Sequence, residues 1–244
     1  MPVEEQQTRF RMLENWFLSD SGSSVMQAFL DELNPIQALL HGDTLLQFGS
    51  YGHKSFSHEL RFSHKWTVTP YERANANLVT FFNQLPIDRD SVDCIIAPLT
   101  LEAFTNKVNL INEIDRVLKP MGYVVFYGIN PLSLWGLWLR ISKNTCFGEA
   151  LLKPKSVISV KMAMLHRGYV QCHLSSFYYI PPVRTKKWID TLEIMNEVGK
   201  MISPVPSGFY CLVVQKQQEN FTPLVQLTPR DQYVSPAIPP LQPT

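Results

Sequence analysis

Several short stretches carry residue types that could do chemistry. Thr44–Phe48 (TLLQF) is an apolar run that ends in Gly49-Ser50-Tyr51-Gly52. Glycines there let a backbone pass close to a bound ligand, or simply make a tight corner after a strand. Phe81-Phe82 offers aromatic faces that could stack on a base or fill a core. His53, His58 and His64 are near one another, but spacings of five and six place them on no single helical face. No acid or cysteine completes a metal set, so they read as polar loop residues and no metal is expected. Glu113 and Arg116, three apart, read as a solvent-side helical pair. No residue stands out as a general base. A transfer helped mainly by proximity and alignment in a desolvated pocket needs none.

The elements that position these residues follow from hydrophobic spacing. Ser91–Pro131 is the best-defined stretch: a buried strand at Cys94–Ala97, a helix over Glu102–Leu118, a stop at Lys119-Pro120-Met121-Gly122, and a second buried strand at Tyr123–Tyr127. Leu110, Ile114 and Val117 form the helix's apolar stripe. Lys119 suits the helix C-terminal dipole, Pro120 forbids continuation, and Gly122 permits a positive φ. A strand, a helical crossover and a strand make a βαβ unit, which predicts a parallel sheet covered by helices. Upstream, Thr44–Phe48 and Trp66–Thr69 read as strands and Leu78–Phe82 as a third short strand or its approach. Residues 1–40 read as helical, with Ser23 or Ser24 as a cap. Downstream, Leu134–Leu139 could be a lid, an apolar contact surface or a helix packed on the sheet. Ser156–His166 and Trp188–Met201 read as helices, and Tyr169–Tyr179 and Gly208–Val214 as a late pair of strands.

Strands alternating with helices, then a terminal strand pair, give the order of a doubly wound, mostly parallel seven-stranded α/β sheet. Ser91-Val92-Asp93 before a strand, Leu101-Glu102 after it, and Glu113-x-x-Arg116-Val117-Leu118-Lys119-Pro120-x-Gly122 sharpen this. Together they resemble the class I S-adenosylmethionine-dependent methyltransferases of the type 11 group, whose E-x-x-R-V-L-K-P-G-G signature leads into the fifth strand. Trp16 with Gly22, Leu45-Leu46-Gln47-Phe48-Gly49, Asn130-Pro131-x-Ser133-x-x-Gly136, and Gly199 leading to Gly208-x-Tyr210 are similar to one bacterial branch of uncharacterised methyltransferases. The likeness spans roughly residues 10–216. It implies a Rossmann-like sheet with N-terminal helices and S-adenosylmethionine as cofactor. By matching position it carries cofactor-binding roles to Gln47, Gly49, Ser50, Gly52, Thr69, Phe82, Leu85, Pro98 and Leu99. It carries no catalytic role to any residue.

The departures from that pattern fall at the cofactor motif. The family has an acidic residue and three glycines after strand one, where this chain has Gln47 and then Gly49-Ser50-Tyr51-Gly52-His53. Strand two usually ends in a carboxylate for the ribose hydroxyls, and here Thr69-Pro70 stands. An Asp by the adenine is matched by Phe81-Phe82. Asn130-Pro131 lacks the second proline and the aromatic of the amino-methylating Asn-Pro-Pro-Tyr motif, and it follows strand five rather than four. The implied function is therefore methyl transfer to a small or apolar acceptor. The alternative is a catalytically inactive methyltransferase fold kept as a binding or scaffold module.

Composition bounds the rest. Residues number 244, with 45% hydrophobic and 18% charged, enough for a sizeable core. A net charge of +1 gives no electrostatic reason to expect nucleic acid as a partner. Cys94, Cys146, Cys172 and Cys211 are scattered, with no C-x-x-C, and fit a reduced, cytoplasmic protein. The N-terminus lacks an apolar signal region, and Met121–Leu139, though uncharged, is broken by Gly128, Asn130 and Pro131, so no membrane span is expected. The expected division is an N-terminal helical segment (1–40), an α/β domain (41–218), and a Pro-rich tail (219–244) that cannot form a packed core.

Overall fold

Short apolar runs of this kind pair edge to edge. In the computed structural model, which describes residues 3–51, 56–73, 76–104, 107–141, 152–183, 185–201 and 206–218, they form one sheet. Its strands are β1 (Thr44–Phe48), β2 (His64–Thr69), β3 (Leu78–Val79), β4 (Val92–Pro98), β5 (Leu118–Ile129), β6 (Tyr169–Phe177) and β7 (Phe209–Lys216), in the order β3-β2-β1-β4-β5-β7-β6. Neighbours from β3 to β5 run parallel, and β7 is antiparallel to both β5 and β6. This is the doubly wound seven-stranded sheet expected from the sequence. The tail and Cys146 lie outside the described residues.

Helices cover both faces: α1 (Val3–Phe17), α2 (Asp20–Leu33), α3 (Phe56–Glu59), α4 (Thr100–Ala103), α5 (Lys107–Val117), α6 (Leu134–Ile141), α7 (Val157–Leu165), α8 (Lys186–Leu192) and α9 (Ile194–Met201). The core runs along β4 and β5, where Ile95, Ile96, Val124 and Val125 are fully buried, and under α5 through Leu110, Ile114 and Val117. Cys94 and Cys211 are buried and free, as small core residues. No helix of the described residues is long and apolar enough to cross a membrane. Met121–Leu139 is instead divided among most of β5, a loop and most of α6.

Five expectations change in detail. The helix expected over Glu102–Leu118 is two pieces, α4 and α5, and Leu118 already belongs to β5, paired with Val92. The register then shifts, so that Cys94 pairs with Tyr123, and the residues Lys119–Gly122 bulge out. Met121 carries the positive φ of 67° there, whereas Gly122 serves close approach: a Cβ on it would sit 3.0 Å from the Asp93 carbonyl. Lys119 does not act on a helix end; its ammonium bonds both Asp93 oxygens at 2.9 Å. Glu113 and Arg116 are half-buried and pin the loop before β4. Glu113 accepts from the Leu85 amide, and Arg116 donates to the Leu85 and Ile87 carbonyls. Finally, α2 is capped by Ser19 rather than Ser23 or Ser24.

Strand order reverses between β1 and β4. From β1 the chain winds outward to β2 and β3, and from β4 it winds the other way. Such a switch point opens a crevice at the strands' carboxyl ends, where open α/β sheets take ligands.

Candidate functional site: the crevice between β1 and β4

Two left-handed residues flank this crevice. Gly49 (φ 81°) turns the chain out of β1, and Leu99 (φ 49°) turns it out of β4 into α4. The Gly49 amide stays tied to the Val68 carbonyl at 2.8 Å, and the Leu99 amide to the Tyr127 carbonyl at 2.8 Å. Gln47 and Pro98 lie at the carboxyl ends of the two strands. Gln47 is buried and turns its amide back onto the Gly49 carbonyl at 2.9 Å.

Helix α1 lies across the crevice, because its buried residues Phe10, Leu13, Glu14 and Phe17 recur at helical spacing on one stripe. Gln7 fastens it to the Pro70 carbonyl at 2.9 Å and Arg9 to the Ala103 carbonyl at 3.4 Å, one beyond each side of the crevice. Glu14 faces inward with no exposure. One of its oxygens accepts the Ser50 amide at 2.8 Å; the other accepts the Tyr71 hydroxyl and the Arg73 guanidinium. Burial pushes the Glu14 carboxyl up, and these three partners offset that only in part. Arg73 also reaches the Ser50 carbonyl at 3.4 Å, so both polar groups of the Ser50 backbone are held.

Tyr51, next in the turn, is driven into the crevice. Its hydroxyl donates to the Pro98 carbonyl at 2.8 Å, its ring meets Phe17 edge-on with centroids 4.8 Å apart, and it is buried throughout. The ring crosses directly over Gly49: a Cβ there would lie 2.4 Å from the Tyr51 oxygen. Burial, with Glu14 nearby, holds the phenol protonated far above its ordinary range.

Of the residues singled out from the sequence, the fold gathers Gln47, Gly49, Ser50, Pro98 and Leu99 at this crevice. Thr69, at the end of β2, is buried and spends its hydroxyl on the Tyr71 carbonyl at 2.7 Å. Phe82 sits farther along α1, stacked on Phe48 with centroids 4.8 Å apart and edge-on to Phe10 at 4.8 Å. Leu85 belongs to the loop held by Glu113. Gly52 and His53 lie outside the described residues. Among the described residues no cluster suits a metal ion, and Asn130 and Ser133 make the capping turn of α6. Sequence reasoning missed Glu14, Tyr71 and Arg73. The one available signal was an acid, Glu14, set inside the apolar stripe of α1.

S-adenosylmethionine lying over Gly49 would need the volume that Tyr51 takes. In this conformation the residues over Gly49 do not fit it. Among the described residues, one hollow of about 310 Å³ is lined by Asp20, Ser24, Gln27, Lys186 and Asp190, and another of about 450 Å³ lies at the amino ends of β1, β2 and β4, lined by Thr44, His64, Trp66, Leu78 and Val92.

Residues 62–126 match the family described as a methyltransferase domain, of type 11. At the level of sequence, no curated protein is similar to this chain. Many solved structures share its fold, three of them as follows. One is an S-adenosylmethionine-dependent methyltransferase from Thermotoga maritima, described as a possible histamine N-methyltransferase; it is 15% identical over 88% of this chain and 99% of that one, with a TM-score of 0.59. The second, from Mesorhizobium loti, is also an S-adenosylmethionine-dependent methyltransferase, 15% identical over 77% and 100%, with a TM-score of 0.54. The third is a geranyl diphosphate C-methyltransferase from Streptomyces coelicolor in complex with Mg2+, geranyl diphosphate and S-adenosyl-L-homocysteine, 16% identical over 78% of each chain, with a TM-score of 0.54. The chain thus has the class I S-adenosylmethionine-dependent methyltransferase fold, and part of it, residues 62–126, matches the methyltransferase domain family.

Proposed function

We propose that this chain, with its class I methyltransferase fold, is an S-adenosylmethionine-dependent methyltransferase acting on a small-molecule acceptor, with the cofactor taken at the β1–β4 crevice. The observation that carries the reading is the crevice itself. Gly49 and Leu99 turn away on either side of the switch point and leave the carboxyl ends of two adjacent strands facing one site. Under this reading Gln47, Gly49, Ser50, Gly52, Thr69, Pro98 and Leu99 border the cofactor. Phe82 and Leu85 belong to its outer wall. A small or apolar acceptor would enter between the N-terminal helices and α6, whose Leu134, Leu137 and Trp138 are exposed.

A second reading is favoured by a specific observation: Tyr51 fills the space over Gly49. On that reading the chain is a catalytically inactive methyltransferase fold that serves as a binding or scaffold module. Isothermal titration with S-adenosylmethionine and its demethylated product separates the two. Heat of binding supports the methyltransferase reading, and methyl transfer from labelled cofactor into a small-molecule extract then identifies the acceptor. No heat above background at millimolar cofactor overturns it in favour of the inactive fold.

A further inference from the structure

The family pattern has glycines after strand one, where the backbone passes close to the cofactor, and among the residues that follow Gly49 here stands Tyr51. Its side chain does not swing out to solvent. It folds back over Gly49, reaches across the switch point and donates to Pro98 on the opposite strand. Phe17 backs the ring from α1, and Ser50, immediately before it, is held at both backbone groups by Glu14 and Arg73. The turn is thereby fixed in the orientation that points Tyr51 inward.

From this geometry we infer that Tyr51 is an intramolecular occupant of the cofactor crevice. It competes with S-adenosylmethionine for the space over Gly49 and sets the site's affinity. The inference rests on the reading of the crevice as the cofactor site. Binding requires the ring to leave, which breaks the bond to Pro98 and uncovers Phe17. The crevice is receptive only in the fraction of molecules where that has happened, so the apparent dissociation constant is the intrinsic one divided by that fraction.

Titration of S-adenosylmethionine and S-adenosyl-L-homocysteine into the full chain, Tyr51→Gly and Tyr51→Phe tests this, with thermal melts confirming that each protein is folded. Tyr51→Gly removes the occupant; affinity rises by about tenfold or more. Tyr51→Phe keeps the ring and loses only the hydroxyl, with its bond to Pro98 and its contact with Thr100, so the gain is smaller, roughly two- to fivefold, as expected for a lost buried hydrogen bond. The order wild type, Phe, Gly is the signature of an occupant. Equal micromolar binding by all three overturns the inference and leaves the methyltransferase reading standing. Absence of binding by all three, though folded, overturns both. If Tyr51→Gly does not melt cooperatively, Tyr51→Phe carries the test, and a dissociation constant unchanged from wild type overturns the inference.

Discussion

The two halves of the sheet are built to different plans. β4, β5, β6 and β7 run to 7, 12, 9 and 8 residues, whereas β1, β2 and β3 have 5, 6 and 2. Aliphatic packing under α5 and the β5–β7 ladder hold the long half, which also carries the stretch Glu113–Gly122 that resembles the type 11 methyltransferase signature. The short half is consolidated at its carboxyl edge by aromatic rings and by one polar knot around Glu14. Where the fold leaves room for a ligand, this chain has placed its own side chains. Scaffold and site have separate physical origins, so the signature of one does not report on the other. Each half also contains one glutamate with no exposure, Glu102 in the long half and Glu14 in the short half. Their partners differ, and so do the ways to break them.

The largest expected effect is at Glu102. Its carboxyl accepts the Ile129 amide at 3.2 Å, and burial pushes its pKa up to about 8 although backbone bonds and the charge of Lys155 pull the other way. The folded protein holds this proton up to about pH 8, while the unfolded chain loses it near 4.5. The unfolded state therefore binds fewer protons in this window, and wild-type stability falls as pH rises through it. Glu102→Gln keeps the acceptor oxygen and has nothing to ionise. It should be the more stable protein by on the order of 4 kcal/mol at pH 8, with the gap closing toward pH 5. Urea melts at four pH values between 5 and 8 measure this; a gap that does not change with pH rules it out.

Glu14 is compensated differently, by a guanidinium, a phenol and an amide. Glu14→Ala leaves all three without their acceptor and should cost roughly 3 kcal/mol at pH 7, the low end for breaking a buried pair, because Arg73 keeps partial exposure. Replacing Glu14 and Arg73 together, as Glu14→Leu with Arg73→Met, should recover most of that loss, since no unpaired charge then remains. A double variant no better than Glu14→Ala would mean that the knot stabilises by geometry rather than by charge pairing.

The contrast also explains what could be read in advance. β1 has the same limits in the sequence and in the structure, Thr44–Phe48, because an apolar run ending in glycine leaves little freedom. The β4–β5 unit was legible for the same reason, except that its helix is two pieces, α4 and α5, and that at Leu118 the helix gives way to the strand one residue early. Pairing with Val92 decides that boundary, and no local pattern in 102–118 reports on β4's register. The position of the crevice was also legible, since Gly49 marks the end of β1. Its filling was not. Glu14 meets Tyr71 and Arg73 across 57 and 59 residues of sequence, and whether Tyr51 points in or out depends on those contacts.

The smallest effect concerns how α1 is held over the short half. The chain breaks between α1 and α2 at Leu18-Ser19, and Ser19 caps α2: its hydroxyl accepts the Gly22 amide at 3.2 Å and donates to the Trp16 carbonyl at 2.6 Å. The same side chain thus bonds the last turn of one helix and the first turn of the next, fixing the angle at which α1 delivers Glu14 and Phe17 to the crevice. Ser23 was an equally plausible cap from sequence, but it lies inside the helix and contributes only its amide, bonded to the Ser19 carbonyl at 2.8 Å. Ser19→Ala should therefore cost about 1 kcal/mol, and Ser23→Ala should stay within about 0.5 kcal/mol of wild type, as for a surface substitution away from a cap. Chemical denaturation of the two variants reads the difference. If Ser23→Ala proved the more costly, the helix would start later than Asp20 and α1 would meet the crevice at another angle. A loss at Ser19 that also altered cofactor affinity would tie the inter-helix joint to the contents of the site.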